Sequence, residues 1–204
     1  MSTKTWFTAD WHLGEDRFEI MGRPDFSTRE QMIDLIVNEH NARVAPDDIV
    51  YMNGDVCYQK APEYLNHVSR FNGDLRLIRG NHDRVFTDEQ LAPYFTQIIP
   101  EGEGVELDIE GIPCYITHYP TLARQDRFNL TGHIHSAWKY QLNMLNVGVD
   151  VHFFRPVAAS SIPFHLKAIT EFYDMDVWVA YEETNASYRE TRGKKSQYFT
   201  PEAK

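Results

Sequence analysis

Cysteine is nearly missing from this chain: Cys57 and Cys114 are the only two in 204 residues. So few thiols, so far apart, exclude a disulfide framework and a Cys-rich zinc site. Long apolar runs are missing too, so no segment reads as a bilayer span. The opening Met1-Ser2-Thr3-Lys4-Thr5-Trp6 lacks the apolar stretch of a secretory signal, which makes a cytoplasmic protein the expectation. Basic residues are in deficit, 20 against 30 acidic, for a formal net charge of −10. That balance argues against broad electrostatic capture of nucleic acid, which needs basic surface to displace counterions. There is no internal repeat, low-complexity tract or Pro/Gly/Ser-rich linker to divide the chain. One domain of this length can bury a self-sufficient core.

Charge is unevenly placed. From Asn185 to Lys204 there are five basic residues and two acidic, a net of +3, so the remainder carries −13. The chain therefore reads as one domain over residues 1–184 and a polar, basic C-terminal tail over 185–204, expected to be flexible or loosely docked.

Within the domain, short apolar strands alternate with amphipathic helices. Residues 3–9 read as a strand ending at Asp10. Ser27-Thr28-Arg29-Glu30 has the form of a capping box and opens a helix with Met32, Ile33, Ile36 and Val37 at helical spacing. Residues 48–52 and 75–79 are further strands, with a helix expected over 61–71 between them. Residues 105–109, the pair Glu110-Gly111 and residues 112–117 read as a hairpin. Strands are also expected to end near Gly132 and to run over 142–149. Residues that can bind metal sit just past the ends of these strands, where open α/β folds place their ligands.

Four short blocks carry the chemistry. Asp10-Trp11-His12 puts a carboxylate and an imidazole two residues apart, on one side of an extended backbone. Gly54-Asp55 follows the second strand. Gly80-Asn81-His82-Asp83 offers a tight turn, a neutral oxygen ligand and an imidazole beside a carboxylate. Gly132-His133-Ile134-His135 repeats the alternating logic with two imidazoles. The set contains no thiolate, which suits an open catalytic site better than a closed structural zinc site. His40, His67, His152 and His165 belong to no block and read as packed or surface side chains. Cys57, beside the site, reads as core.

With Thr117-His118 added, these blocks occur in an order that resembles the calcineurin-like metallophosphoesterase superfamily, over roughly residues 5–136. Asn146-Val147-Gly148-Val149-Asp150 looks like the segment that follows the last block in small bacterial and phage members. The resemblance implies an α/β/β/α sandwich of two mixed sheets flanked by helices, with a dinuclear metal site at the strand carboxyl edge. It implies that Asp10, His12 and His135 hold one divalent ion, that Asn81, His118 and His133 hold the other, and that Asp55 bridges them. Manganese is the first choice, with zinc, iron and nickel also accommodated. His82 would be the acid/base facing the substrate, oriented by Asp83. Two such ions would clamp an in-line displacement and supply a bridging hydroxide for direct attack on phosphorus. No organic cofactor is implied.

Two departures are notable. Glu15 stands where many small relatives carry His, and Gly54-Asp55 continues as Val56-Cys57, not as the Asp-Arg-Gly of the protein phosphatases. Arg79, Arg84, Arg124, Arg127, Lys139 and Arg155 lie near the blocks but read individually as surface residues. The connections between blocks leave no room for a cap domain. An uncapped site leans towards a phosphodiester, a nucleotide or a nucleic-acid end. A phosphomonoesterase acting on small or protein substrates is the alternative, and a non-catalytic metal-binding scaffold is the alternative of another class.

Overall fold

The computed structural model describes residues 2–23 and 25–172, with side chains to residue 170. The domain end at 184 and the tail over 185–204 lie outside the described residues. Among the described residues ten strands form two five-stranded sheets. In the first, β1 (Thr5–Thr8), β2 (Ile49–Met52), β3 (Asp74–Ile78) and β4 (Gln97–Ile99) run parallel, and β10 (Val157–Ala158) closes the edge antiparallel to β1. In the second, β5 (Gly104–Ile109) pairs antiparallel with β6 (Ile112–Thr117). β6, β7 (Phe128–Thr131) and β9 (Met144–Asn146) are parallel, and β8 (Tyr140–Gln141) is antiparallel on the far edge.

Period-two alternation divides the core in two. Trp6, Val50, Met52, Leu75 and Leu77 face helix α1 (Arg29–Asn41), which buries Met32, Ile33, Ile36 and Val37 against them. Their neighbours Phe7, Tyr51 and Ile78 point the other way and meet Cys114, Ile116, Phe128, Leu130 and Leu145 of the second sheet. Helix α3 (Ile162–Lys167) adds Ile162 and Leu166 to that second cluster. Two mixed sheets flanked by helices is the architecture the sequence led us to expect. Cys57 is fully buried in the first cluster, and burial pushes its thiol well up from its ordinary value.

Local expectations fared unevenly. The hairpin forms as read, because Glu110 and Gly111 both take positive φ (53° and 83°) and pair Ile109 with Ile112. The cap of α1 is shifted by one residue. Thr28 is the N-cap and accepts from the Gln31 amide, while the Gln31 side chain accepts from the Ser27 amide (3.1 Å). Thr-x-x-Gln does the work assigned to Ser-x-x-Glu. The segment expected as an α-helix over 61–71 is a 3₁₀ helix, Pro62–Arg70, whose buried Leu65 and Val68 recur at the three-residue spacing of that winding. The single strand expected over 142–149 is a hairpin, since Asn143 (φ 50°) turns the chain between β8 and β9. A four-residue helix, α2 (Asp88–Leu91), precedes β4.

His40 on α1 is buried edge-on against the stacked pair Trp11 and Phe71 (3.9 Å apart), and its Nε2 donates to the Asn72 carbonyl at 2.8 Å. Burial pushes its pKa down to about 4. The folded state therefore refuses a proton that the unfolded chain accepts below its ordinary value of 6.5. Stability linked to His40 is complete above that pH and is lost as pH falls towards 4, by an amount on the order of 3 kcal/mol. Urea unfolding at stepped pH should show a shallower acid slope across this window for His40→Gln than for the parent chain. Equal slopes would remove His40 from the acid sensitivity.

Candidate metal centre

Every motif block lies immediately past the carboxyl end of a parallel strand, three from each sheet. Asp10 and His12 follow β1, Asp55 follows β2, and Asn81, His82 and Asp83 follow β3. His118 follows β6, His133 and His135 follow β7, and Asp150 follows β9. The shared edge of the two sheets thus receives polar groups from both. Asp55 is common to two groups of potential ligand atoms, each within 4.8 Å of one another: His12, Asp55 and His82, and Asp55, His118 and His133. The Nε2 atoms of His12 and His118 each stand 3.5 Å from Asp55 Oδ2. Asp10 lies alongside, with both carboxylate oxygens 3.0 Å from the His133 amide that donates to them. The His135 ring is 4.9 Å from that of His12.

The backbone is unusual where these side chains emerge. Among the described residues nine non-glycine residues have positive φ, and five of them are Asp10, His12, Asp55, His133 and His135. Left-handed backbone is costly for residues with a Cβ, and it persists where surrounding structure over-determines it. Here the structure does so. Asp83, buried and close to the strand ends, accepts from the amides of Gly80 (2.8 Å), Asp55 (2.9 Å) and Val56 (3.0 Å), which fixes two loops together. Both Asp83 oxygens are thereby used. His82 Nδ1 instead faces the Gln59 amide at 3.5 Å, so the orienting role expected of Asp83 gives way to that of a loop clamp. Asn53 donates to the carbonyls of Thr117 and Leu130, joining the first sheet to the second. Glycine is required at Gly80: a Cβ there would stand 2.3 Å from Asp55 Oδ1 and 2.7 Å from His118 Nε2.

Partners behind the cluster set which imidazole nitrogen faces it. His118 Nδ1 donates to the Asn53 carbonyl (2.7 Å) and His135 Nδ1 donates to Asp150 (2.9 Å), so that in each ring Nε2 is the atom that offers a lone pair once its proton is displaced. Asp150 is held in turn by Arg23, which also donates to the carbonyls of Asp10 and Trp11. Sequence reasoning did not find Arg23, Asn53 or the role of Asp150. Arg23 is 127 residues from its partner, and the one available signal was the Asn146–Asp150 segment itself.

The electrostatics suit a cation. Burial pushes His12 down to about 4, so it is neutral at pH 7, and burial also lowers His82 and His133. Burial raises Asp10 to about 6. Burial also acts to raise Asp55, but the adjacent His118 and His12 hold its carboxyl below the usual carboxylate range. His118, despite burial, is held up at about 9 by Asp55 and Asp10. The carboxylates thus draw positive charge to this point. Several buried polar atoms here have no hydrogen-bond partner: both ring nitrogens of His12, Asn81 Oδ1 and His118 Nε2. Orphaned donor and acceptor atoms are costly, and two of these, His12 Nε2 and His118 Nε2, face the same Asp55 oxygen, which fits a bound divalent ion.

The remaining predicted residues go elsewhere. His152 Nε2 donates to the Asn146 carbonyl (2.7 Å), His165 pairs with the Tyr140 hydroxyl (2.9 Å) and His67 stacks on Tyr64. Arg79 pairs with Asp88, Arg84 with Glu101, Arg124 with Glu106, Arg127 with Asp126 and Arg155 with Glu39.

Two packed mixed sheets that gather carboxylate, imidazole and amide side chains at a common carboxyl edge define the scaffold of a metallohydrolase. The family model for calcineurin-like phosphoesterases matches residues 3–179, and the chain belongs to that family. Among solved structures, it resembles a protein of unknown function from Aquifex aeolicus at TM-score 0.62 and 20% identity, over 79% of this chain and 98% of that one. A Pseudomonas putida nuclease is similar at TM-score 0.45 and 23% identity, over 64% of this chain and 61% of that one. No curated protein matches the sequence. The family acts on phosphate esters with the help of metal, and no helix among the described residues is long and apolar enough to cross a membrane.

Proposed function

We propose that this protein is a dinuclear metal-dependent phosphoesterase that hydrolyses phosphodiester or nucleotide substrates. The observation that carries the reading is the set of orphaned, buried ligand atoms around Asp55. Asp10, His12 and His135 would hold one ion and Asn81, His118 and His133 the other, with Asp55 shared; manganese is the favoured metal. Divalent ions at these ligands supply a water-derived nucleophile at neutral pH and neutralise charge on the phosphoryl oxygens. The protein's own part is to keep that nucleophile and the phosphorus in line. Strained, clamped loops do so with little reorganisation during reaction.

His82 has the position of a general acid. Its backbone amide donates to Asp55 Oδ1 (2.9 Å), its ring lies 4.5 Å from that of His12, and its side chain remains partly exposed. Burial lowers its pKa. A proton held there can pass to the oxygen of the departing alcohol. Among the described residues the connections around the cluster bring no separate cap domain, which leaves room for an extended diester.

The test compares leaving groups in the Mn²⁺-loaded protein. His82→Ala should lower kcat by about 10²- to 10⁴-fold on a dinucleotide, whose alkoxide needs a proton. The loss should be much smaller on bis-p-nitrophenyl phosphate, whose phenolate leaves unaided. An equal loss on both substrates would remove His82 from proton transfer. Inactivity of the parent chain on both diesters and on p-nitrophenyl phosphate would overturn the enzyme reading.

A further inference from the structure

The loop between β1 and α1 holds an ion pair that neither the metal cluster nor the core uses. Glu15 is 0% exposed. Its Oε1 accepts from the amides of Asp16 (3.1 Å) and Arg17 (2.9 Å). The Arg17 guanidinium closes on the same carboxylate through two parallel bonds, Nε to Oε1 at 2.9 Å and Nη2 to Oε2 at 2.7 Å. The pair is lopsided: the carboxylate is wholly inside, while the Arg17 side chain is 43% exposed. The guanidinium carbon lies 4.6 Å from the centre of the Tyr58 ring, and that ring is 6.0 Å from the ring of His82. A cation therefore stands one aromatic ring away from the group that faces the leaving alcohol. Glu15 and Arg17 are both near enough to His82 to bear on its charge. The two bonds to Glu15 leave Nη1 with no acceptor among the described residues.

Turn-capping explains Glu15 only in part. Both amides go to Oε1, and Oε2 is engaged by Arg17 alone. Glutamine would cap the turn as well without burying a charge, and a buried ion pair returns little net stability. What the pair does achieve is a guanidinium fixed in one orientation beside the catalytic edge. Its planar fork matches phosphate oxygens, and a side chain already immobilised loses little entropy on binding.

We propose that Arg17, set by Glu15, binds a phosphate carried by the leaving alcohol, so that the preferred substrate is a phosphodiester flanked by a second phosphate, as in a short oligonucleotide. This rests on the phosphoesterase reading above and on His82 facing the leaving group. It also fits a net charge of −10. A chain without broad basic surface can still hold a short polyanion at single fixed points.

The test uses two dinucleotides with the same scissile linkage, d(TpT) and d(pTpTp). The second carries a phosphate on whichever alcohol leaves, and chromatography of the products separates diester cleavage from loss of a terminal phosphate. The parent Mn²⁺-loaded chain should prefer d(pTpTp) by about tenfold in kcat/KM, mainly through KM. In Arg17→Ala that ratio should fall to near one, and Arg17→Lys should retain part of it. Because Arg17→Ala leaves a buried carboxylate unpaired, the double variant Glu15→Gln/Arg17→Ala is run beside it and should lose the same ratio. Equilibrium binding of the two dinucleotides to metal-free protein should show the same discrimination and the same loss. A parent chain that cleaves both equally well, or variants that keep the tenfold ratio, would overturn the proposal. Parent protein that cleaves neither dinucleotide nor bis-p-nitrophenyl phosphate would instead overturn the phosphodiesterase reading on which it rests.

Discussion

Asp55→Asn should cost the candidate metal centre at least one of its two proposed ions. Asparagine keeps the Oδ1 that accepts from the His82 amide, so the loops retain their geometry, but it replaces Oδ2, the atom facing both His12 and His118. The change removes the one charge common to both ligand groups. Losing a partner behind a metal ligand already lowers affinity by about 10–100-fold, and loss of a shared ligand should exceed the upper end of that range. We expect at most one ion per chain by elemental analysis, a correspondingly weaker Mn²⁺ isotherm, and hydrolysis reduced by roughly a thousandfold or more. Mn²⁺ should raise the melting temperature of the parent chain and leave that of the variant nearly unchanged, because a ligand stabilises only the state that binds it. Two ions bound at parental affinity would show that Asp55 does not bridge.

Arg23→Met should have the largest effect on stability of any single change near the site. Arg23 is 3% exposed, and its guanidinium satisfies Asp150 (2.6 and 3.2 Å) and the carbonyls of Asp10 and Trp11. Methionine fills much of the volume but leaves a buried carboxylate without its counter-charge and two carbonyls without donors. Breaking such a pair from one side costs about 3–5 kcal/mol, a large share of the 5–15 kcal/mol by which ordinary domains are stable. Urea unfolding of metal-free protein reads the loss directly. Because the damage lies in the stranded carboxylate, Arg23→Met/Asp150→Asn should be more stable than Arg23→Met alone. A loss below about 1 kcal/mol would mean that water replaces the guanidinium at no cost.

The difference between these two residues shows how much of the site the sequence displays. Asp55, like Asp10, His12, Asn81, His118, His133 and His135, sits in a short block just past a strand, so local pattern and chain order suffice to find it. Arg23 lies in a turn-rich loop with no periodicity, and its meaning comes from an aspartate on another sheet. Asn53 is similar: it adjoins a visible motif, but its two acceptors lie at the ends of strands that only the tertiary fold brings near. The parallel strands and the Glu110-Gly111 turn were legible because alternation and turn chemistry are local. The 3₁₀ winding of Pro62–Arg70 was less so, since Leu65 and Val68 are also compatible with an α-helix until packing chooses the tighter turn. The loop clamp made by Asp83 was hidden for a related reason. Its neighbour in sequence is His82, but its carboxylate faces backbone amides from another loop.

The left-handed backbone at Asp10, His12, Asp55, His133 and His135 bears on how the protein acquires its ions. Those conformations sit among side chains such as Asp83, Asn53 and Asn146, whose hydrogen bonds go to the backbone of neighbouring loops and strand ends. The cavity is therefore shaped before it is filled. Such a host discriminates among guests by size and preferred coordination, because it does not remodel itself around each of them.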